Sequence, residues 1–250
     1  MRPKLVPSDR APGLFVVPGT VIPDDAEIAP HVTIYAGVEL GAGVSLEQGA
    51  VIGRPQRIHA RSRTPVQSGD QVTVLGDGAH IGGSTIVVAG ARIGARAYVG
   101  DQILVREGAI VAEDAMVGHG SALGPRTIVG ARSRLHNNVV LGPLTVLEED
   151  VLVSPRVLFV GDPTMGRRPA GAASPGILVR RASRIGANAI LFPPLEIGEE
   201  AVVGAAALVL ADVPARTVVF GSPARPHRAV RDDELLEGWS EPAEAVERDV

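Results

Sequence analysis

Large aliphatic residues recur at every sixth position along most of this chain. One run holds Ile22, Ile28, Ile34, Leu40, Leu46 and Ile52. A second climbs from Leu75 in steps of six to Phe159. A third holds Val179, Ile185, Leu191, Ile197, Val203 and Val209. Of these 27 positions, 26 are Ile, Leu or Val. The residue two places earlier is mostly small, as at Thr85, Ala91, Ala97, Ser121 and Thr127. Glycine follows the aliphatic in 13 hexads, where it suits a corner with unusual backbone angles. An α-helix does not explain the period, because six is not a multiple of 3.6. The longer, less regular strand spacing of a β-sandwich does not explain it either. A short flat strand followed by a turn does. Three such units close a triangular coil, and coils stack strand on strand about 4.8 Å apart. The pattern therefore predicts an all-β parallel β-helix of about nine coils, about 43 Å long, with the large aliphatics lining one shared interior.

Two insertions interrupt the register, near 54–72 and 160–178. The first carries Arg54, Arg57, Arg61 and Arg63; the second carries Asp162, Arg167 and Arg168. Loops extruded from a rigid scaffold are common homes for binding groups, although a solvated loop has the same composition. The expected organisation is an N-terminal arm (1–19), the β-helix with its two loops (20–212), and a C-terminal cap and tail (213–250). Within the cap, Leu235, Leu236 and Trp239 fall on one side of a helical turn or two.

Composition narrows the function. The chain has 250 residues and is 45% hydrophobic but only 3% aromatic, so its interior must be filled by Val, Ile, Leu and Ala in many similar layers. A formal charge of −4 gives no reason to expect nucleic acid or an anionic membrane as partner. The absence of cysteine excludes disulfides, zinc–thiolate sites and thiol catalysis. Neither a signal peptide nor a transmembrane run is seen, and the expected location is the cytoplasm.

The stretch "VRRASRIGANAILFPPLEIGEEAVVGAAALVLADVPARTVVFGSPARPHR" resembles the closing signature of the left-handed β-helix acyltransferases with hexapeptide repeats, in particular nucleotide-sugar N-acyltransferases. There a basic pair precedes I-G-A-N-A, and the block ends in D-V-P and a G-[NS]-P-A-R turn. The stretch "LHNNVVLGPLTVLEEDVLVSPRVLFVGDPTMGRRP" resembles the substrate region of the same group, with its D-x-x-x-G-R loop. The likeness spans about residues 20–225. It implies a left-handed helix, a homotrimer, acetyl-CoA as donor, and an amino sugar on a nucleoside diphosphate as acceptor. The hand rests on the resemblance alone, since most β-crossover-β units are right-handed. The sequence also departs from the group. Gly161 stands where many relatives have Asn, Gly124 and Pro125 where some have Glu–His, and Pro143 where some have Glu. The resemblance therefore assigns no general base.

Candidate residues follow from this reading. Coenzyme A needs cations for its phosphates and a narrow track for its pantetheine arm. Arg180, Arg181 and Arg225 suit the phosphates, because guanidinium matches phosphate geometry. Ala187 and Ala205, 18 residues apart, would leave the track open. Acyl transfer to an amine needs a proton acceptor, and histidine is the usual one near neutral pH. His119 and His136 lie near Val117 and Leu135, one coil apart on one face, and are the catalytic candidates. Asn137, Asn138, Asp162 and Arg167 are candidates for binding substrate. No metal is expected. Three other readings stay open: O-acetylation of a sugar or small molecule, a non-catalytic β-helix scaffold, and a metalloenzyme like the γ-class carbonic anhydrases, whose H-x4-H spacing is absent here.

Overall fold

The computed structural model describes residues 4–59, 71–167 and 175–238. Arg61, Arg63, Arg168 and Trp239, named above for the loops and the cap, lie outside the described residues. Strands mostly two or three residues long alternate with turns and stack into three sheets of 11, 11 and 8 strands. The chain visits them cyclically. Face one carries Leu46, Ile81, Val99, Val117, Leu135, Val153, Ile185 and Val203 inward. Face two carries Ile52, Val87, Val105, Leu123, Leu141, Phe159, Leu191 and Val209, and face three carries Leu75, Ile93, Val111, Val129, Leu147, Val179 and Ile197. Pairing within the stack is parallel, and only the outermost strands Val6–Ser8 and Ala224–Ala229 are antiparallel. This is a β-solenoid of about ten turns, with the left-handed parallel β-helix architecture. Faces one and two each gain a rung beyond the hexad count. Leu14–Val16 pairs with Thr33–Ile34 at one end, and Val218 and Val219 continue face one beyond Val203 at the other.

The inward aliphatics form one continuous cluster running the length of the stack, most of them with no exposed surface. The small residue two places earlier also faces inward, near the corner, and its chemistry explains its size. The Thr85 hydroxyl donates to the carbonyl of Gly100 (2.7 Å) and accepts from the N–H of Ile103 (3.0 Å). Ser133 does the same for Glu148 and Val151. A buried hydroxyl is tolerated here because it joins a corner to the coil above, and no buried side-chain polar atom among the described residues lacks a partner.

The corners correct one expectation. Except at Gly53 (φ 70°), where the first insertion begins, the glycine directly after the aliphatic does not supply a left-handed backbone: Gly76, Gly94, Gly130 and Gly198 have ordinary φ. A Cβ at Gly94 would run into the backbone of Glu113, so glycine is favoured there by the close approach of the next coil. The left-handed residue is the one two places later. It is often not glycine, as at Arg96 (φ 54°), Asp114 (φ 56°), Arg132 (φ 58°), Asn138 (φ 59°) and Asp150 (φ 59°). Each such residue costs about 1–2 kcal/mol of backbone strain, which the stacked hydrogen bonds on both sides must offset.

Where faces three and one meet, the left-handed residues alternate in charge every 18 positions. Arg96 makes a bidentate pair with Asp114, and Arg132 one with Asp150. The hydrogen bond from Arg96 holds the Asp114 carboxyl below its usual range, and that from Arg132 does the same to Asp150. In the cap, Arg228 and the Arg231 N–H bring Glu234 down to about 2. A carboxylate with a lowered folded-state pKa contributes stability that is complete above its unfolded value and is lost as pH falls through the folded one. The melting temperature is therefore expected to be level between pH 8 and 5 and to fall from about pH 4 to 2. Asp150→Ala should lower it by about 2 °C at pH 7, and the difference should shrink as pH falls below about 4, as thermal scans would show.

Residues 232–234 and 236–238 form two short 3-10 turns over the end of the stack. The N–H of Leu236 donates to the Glu200 carboxylate, which ties these turns to the last coil. Among the described residues, no helix is long and apolar enough to cross a membrane.

Candidate functional site

The three edges of the prism carry different chemistry. The first edge joins face one to face two. There Gly118, His119 and Gly120 lie one coil below His136, Asn137 and Asn138. The Gly118 N–H donates to Leu135 (2.8 Å) and the Asn138 N–H to His119 (2.8 Å). The same ladder continues through Ser154 and Pro155 to Gly186, Ala187 and Asn188, then to Gly204, Ala205 and Ala206. The Asn188 N–H donates to Pro155 and that of Ala206 to Ala187. Above this, Phe220 covers Gly204 and pairs with Arg225 in the closing hairpin.

Seven of the residues singled out from the sequence therefore stand in one column: His119, His136, Asn137, Asn138, Ala187, Ala205 and Arg225. His136 lies two rungs below the Ala187 turn, about 10 Å at the usual strand spacing. Both histidines and both asparagines are exposed, as are Ala205 and Arg225, while Ala187 is half-buried. The column is an open track with imidazoles low on it, small side chains above, and a guanidinium at the top.

The other candidates are elsewhere. Arg180 and Arg181 are on the third edge, from face three to face one, among carboxylates. Arg180 binds Glu196 (2.8 Å) and Glu148 (3.0 Å), and Arg181 binds Glu199 (3.1 Å). These contacts hold both guanidinium pKa values above the ordinary one, led by Glu196 for Arg180 and by Glu199 for Arg181. Beside them opens a cleft of about 590 Å3, lined by Glu148, Arg180, Glu196, Glu199 and Asp212. A phosphate arriving there must draw the arginines from half-exposed pairs, which are individually weak. Sequence reading found the basic pair but not its acids, because Glu148 and Glu196 are 32 and 16 residues away from Arg180 in the chain.

The second edge, from face two to face three, extrudes both insertions. The first leaves after Ile52 and the second after Phe159, five rungs higher on the same face. Asp162 organises the start of its own loop by accepting from the N–H and hydroxyl of Thr164 and from the N–H of Gly166. Arg167 is exposed on the same loop. Within the chain, neither residue shares an edge with the histidines. Among the described residues, no three His, Cys, Asp or Glu side chains converge as a metal site.

The outward positions of the faces also differ. Face two shows Ile86, Leu104, Ala122, Val140, Leu158, Ile190 and Leu208 in one stripe, with Val140, Leu158 and Ile190 37–40% exposed. Face three shows Ile110, Ile128, Val146 and Leu178 in its middle, between the charged Glu39 and Arg92 at one end and Glu196 at the other. Face one shows His80, Tyr98, Met116, Arg134, Leu152 and Arg184, a far more polar set.

No family model matches the chain. Over 49 residues it is 43% identical to a Schizosaccharomyces pombe protein named as an acetyltransferase, a match covering 20% of this chain and 24% of that one. Over 54 residues it is 44% identical to the 2,3,4,5-tetrahydropyridine-2,6-dicarboxylate N-acetyltransferase of Staphylococcus aureus, covering 22% of each. The chain thus spans less than a quarter of the length of the curated relatives it matches. Among solved structures, LpxA from Acinetobacter baumannii aligns over 94% of this chain and 78% of its own, with a TM-score of 0.52 and 18% identity. The UDP-N-acetylglucosamine acyltransferase from Campylobacter jejuni aligns over 81% and 75%, with a TM-score of 0.51 and 13% identity. At such identities the likeness is one of fold. The chain has the hexapeptide-repeat, left-handed β-helix that these acyltransferases share.

Proposed function

We propose that this protein is a coenzyme A-dependent acyltransferase that moves an acetyl group from acetyl-CoA to the amine of a nucleotide-linked deoxyamino sugar, and that it works as a homotrimer. The observation that carries this reading is the first edge, where His119, His136, Asn137, Asn138, Ala187, Ala205 and Arg225 line one track. The pantetheine arm would run along Ala187 and Ala205, where short side chains let it approach the backbone. Its thioester would then sit toward His136. The acceptor nitrogen attacks the thioester carbonyl, a C–N bond forms, and the C–S bond breaks. His136 takes the proton that the amine loses, and the departing thiolate is protonated in turn. His119, one coil below, and the carboxamides of Asn137 and Asn138 would hold the sugar.

The distribution of apolar surface supports three copies. If the second edge points to a three-fold axis, the upper coils of face two, with the exposed Val140, Leu158 and Ile190, meet the apolar middle of face three of the next subunit, and the more polar face one stays in water. The rim of each interface then brings the first edge of one subunit beside the third edge of its neighbour. His136 and the alanine track of one copy would face Arg180 and Arg181 of another, so the donor groove would need two chains. Both metabolites assumed here would place the reaction in the cytoplasm.

A panel of nucleotide-linked amino sugars offered with acetyl-CoA tests the reading by thiol release. Turnover is expected only when donor and amine are both present. Equal release with hydroxyl-only sugars would move the assignment to O-acetylation. Failure to bind acetyl-CoA in a calorimeter would leave a scaffold protein instead.

A further inference from the structure

The start of the first insertion, residues 54–59, lies against face two and lines a cleft of about 320 Å3 that the acyl-transfer reading does not use. Three arginines line it: Arg54, Arg57 and Arg106. Arg54 ends a strand, and its carbonyl accepts from the N–H of Ala89 (3.0 Å), so the base of the cleft is fixed to the stack. Neither Arg54 nor Arg57 has an ion-pair partner among the described residues. Arg106 is held differently. Its Nε and Nη2 donate, each at 2.8 Å, to the two carboxylate oxygens of Glu107, which is 1% exposed. A carboxylate buried to that degree fixes the guanidinium in one orientation and leaves its Nη1 edge free to donate. The single acid cancels one charge of three, so the arginines leave a surplus of two. The rest of the wall includes Ile58, Val88 and Leu104, which are apolar.

We propose that this cleft binds a phosphorylated small molecule, with the phosphate on Arg54, Arg57 and Arg106 and an apolar or planar body against Ile58, Val88 and Leu104. The volume lies at the lower end for small-ligand sites and suits a nucleoside monophosphate or a compound of that size. Arg106, held in one orientation by Glu107, offers its Nη1 edge beside Arg54 and Arg57, which have no ion-pair partner among the described residues, and three converging guanidinium groups suit a phosphate dianion better than a single negative charge. The site belongs to one chain and to the second edge, whereas the histidine track is on the first. The lining comes from the rungs of Ile86 and Leu104, three and two below Val140, whereas the trimer contact proposed above uses the exposed Val140, Leu158 and Ile190 of the upper coils, so the two proposals occupy different levels of face two.

Calorimetric titration of the intact protein with uridine monophosphate, inorganic phosphate and uridine tests it. Uridine monophosphate is expected to bind more tightly than either part alone. The exposed double substitution Arg54→Ala/Arg57→Ala should weaken it at least tenfold, with affinity for coenzyme A unchanged. Arg106→Lys, which keeps the charge beside Glu107 but loses the fork, should weaken it as well. Inorganic phosphate binding as tightly as the nucleotide would reduce the site to one for the free anion and overturn the small-molecule assignment. Uridine binding as well as its monophosphate, no binding at millimolar concentration, or a double variant that binds like the parent would each overturn the phosphate site. So would loss of coenzyme A affinity in the double variant, because the nucleotide would then be reading the donor groove.

Discussion

Subunits carrying His136→Ala, mixed in equal amounts with subunits carrying Arg181→Ala and allowed to reassemble, are expected to recover about a quarter of the parent's activity below donor saturation. Each variant alone should be far weaker. Loss of a positioned base lowers turnover by about 10²–10⁴-fold. Loss of one charge-assisted contact to phosphate should raise the apparent constant for acetyl-CoA by about 10–100-fold. In the proposed trimer every groove takes its first edge from one chain and its third edge from the next. In a random mixture, half the first edges and half the third edges are intact, so about one groove in four has both. A mixture no more active than the average of its parents would mean that each site lies within one chain. Unchanged turnover in His136→Ala alone would remove His136 as base and favour proton transfer through the substrate and the coenzyme sulfur.

The largest effect on stability is expected at Phe159. It is fully buried, and it is the one position in the 27-hexad register filled by an aromatic ring. Phe159→Ala should cost about 3–5 kcal/mol in urea unfolding followed by circular dichroism. A coil touches only its neighbours, so a cavity at that level also weakens the coupling between the coils below it and those above. Phe159→Leu, which restores the residue type of the rest of the register, should recover most of the loss. If both substitutions cost less than about 1 kcal/mol, Phe159 does not share the common interior, and the packing described for the stack is wrong at that level.

These two expectations rest on different kinds of information. The interior was legible in the chain itself. A residue that must face inward on every coil recurs at a fixed interval, so Leu75, Ile81, Val87 and their successors could be assigned without coordinates. The lengths of the insertions were legible for the same reason, since each displaces the register by a countable number of residues. The chain also brought His119 and His136 together, because a separation close to 18 residues means one coil.

What a fixed period determines is which residues lie inside and which stack above one another. It leaves open how the outside is shared among three edges, because that depends on the phase at which each insertion leaves and re-enters the stack. Only the tertiary structure placed Ala187 and Ala205 above the histidines, both loops on the second edge, and Arg180 and Arg181 on the third among Glu148, Glu196 and Glu199. It also separated two uses of the corner: glycine where the next coil comes close, and a left-handed residue two places on. Both are contacts between residues far apart in the chain, and their energies depend on distances through space that a periodic sequence does not encode.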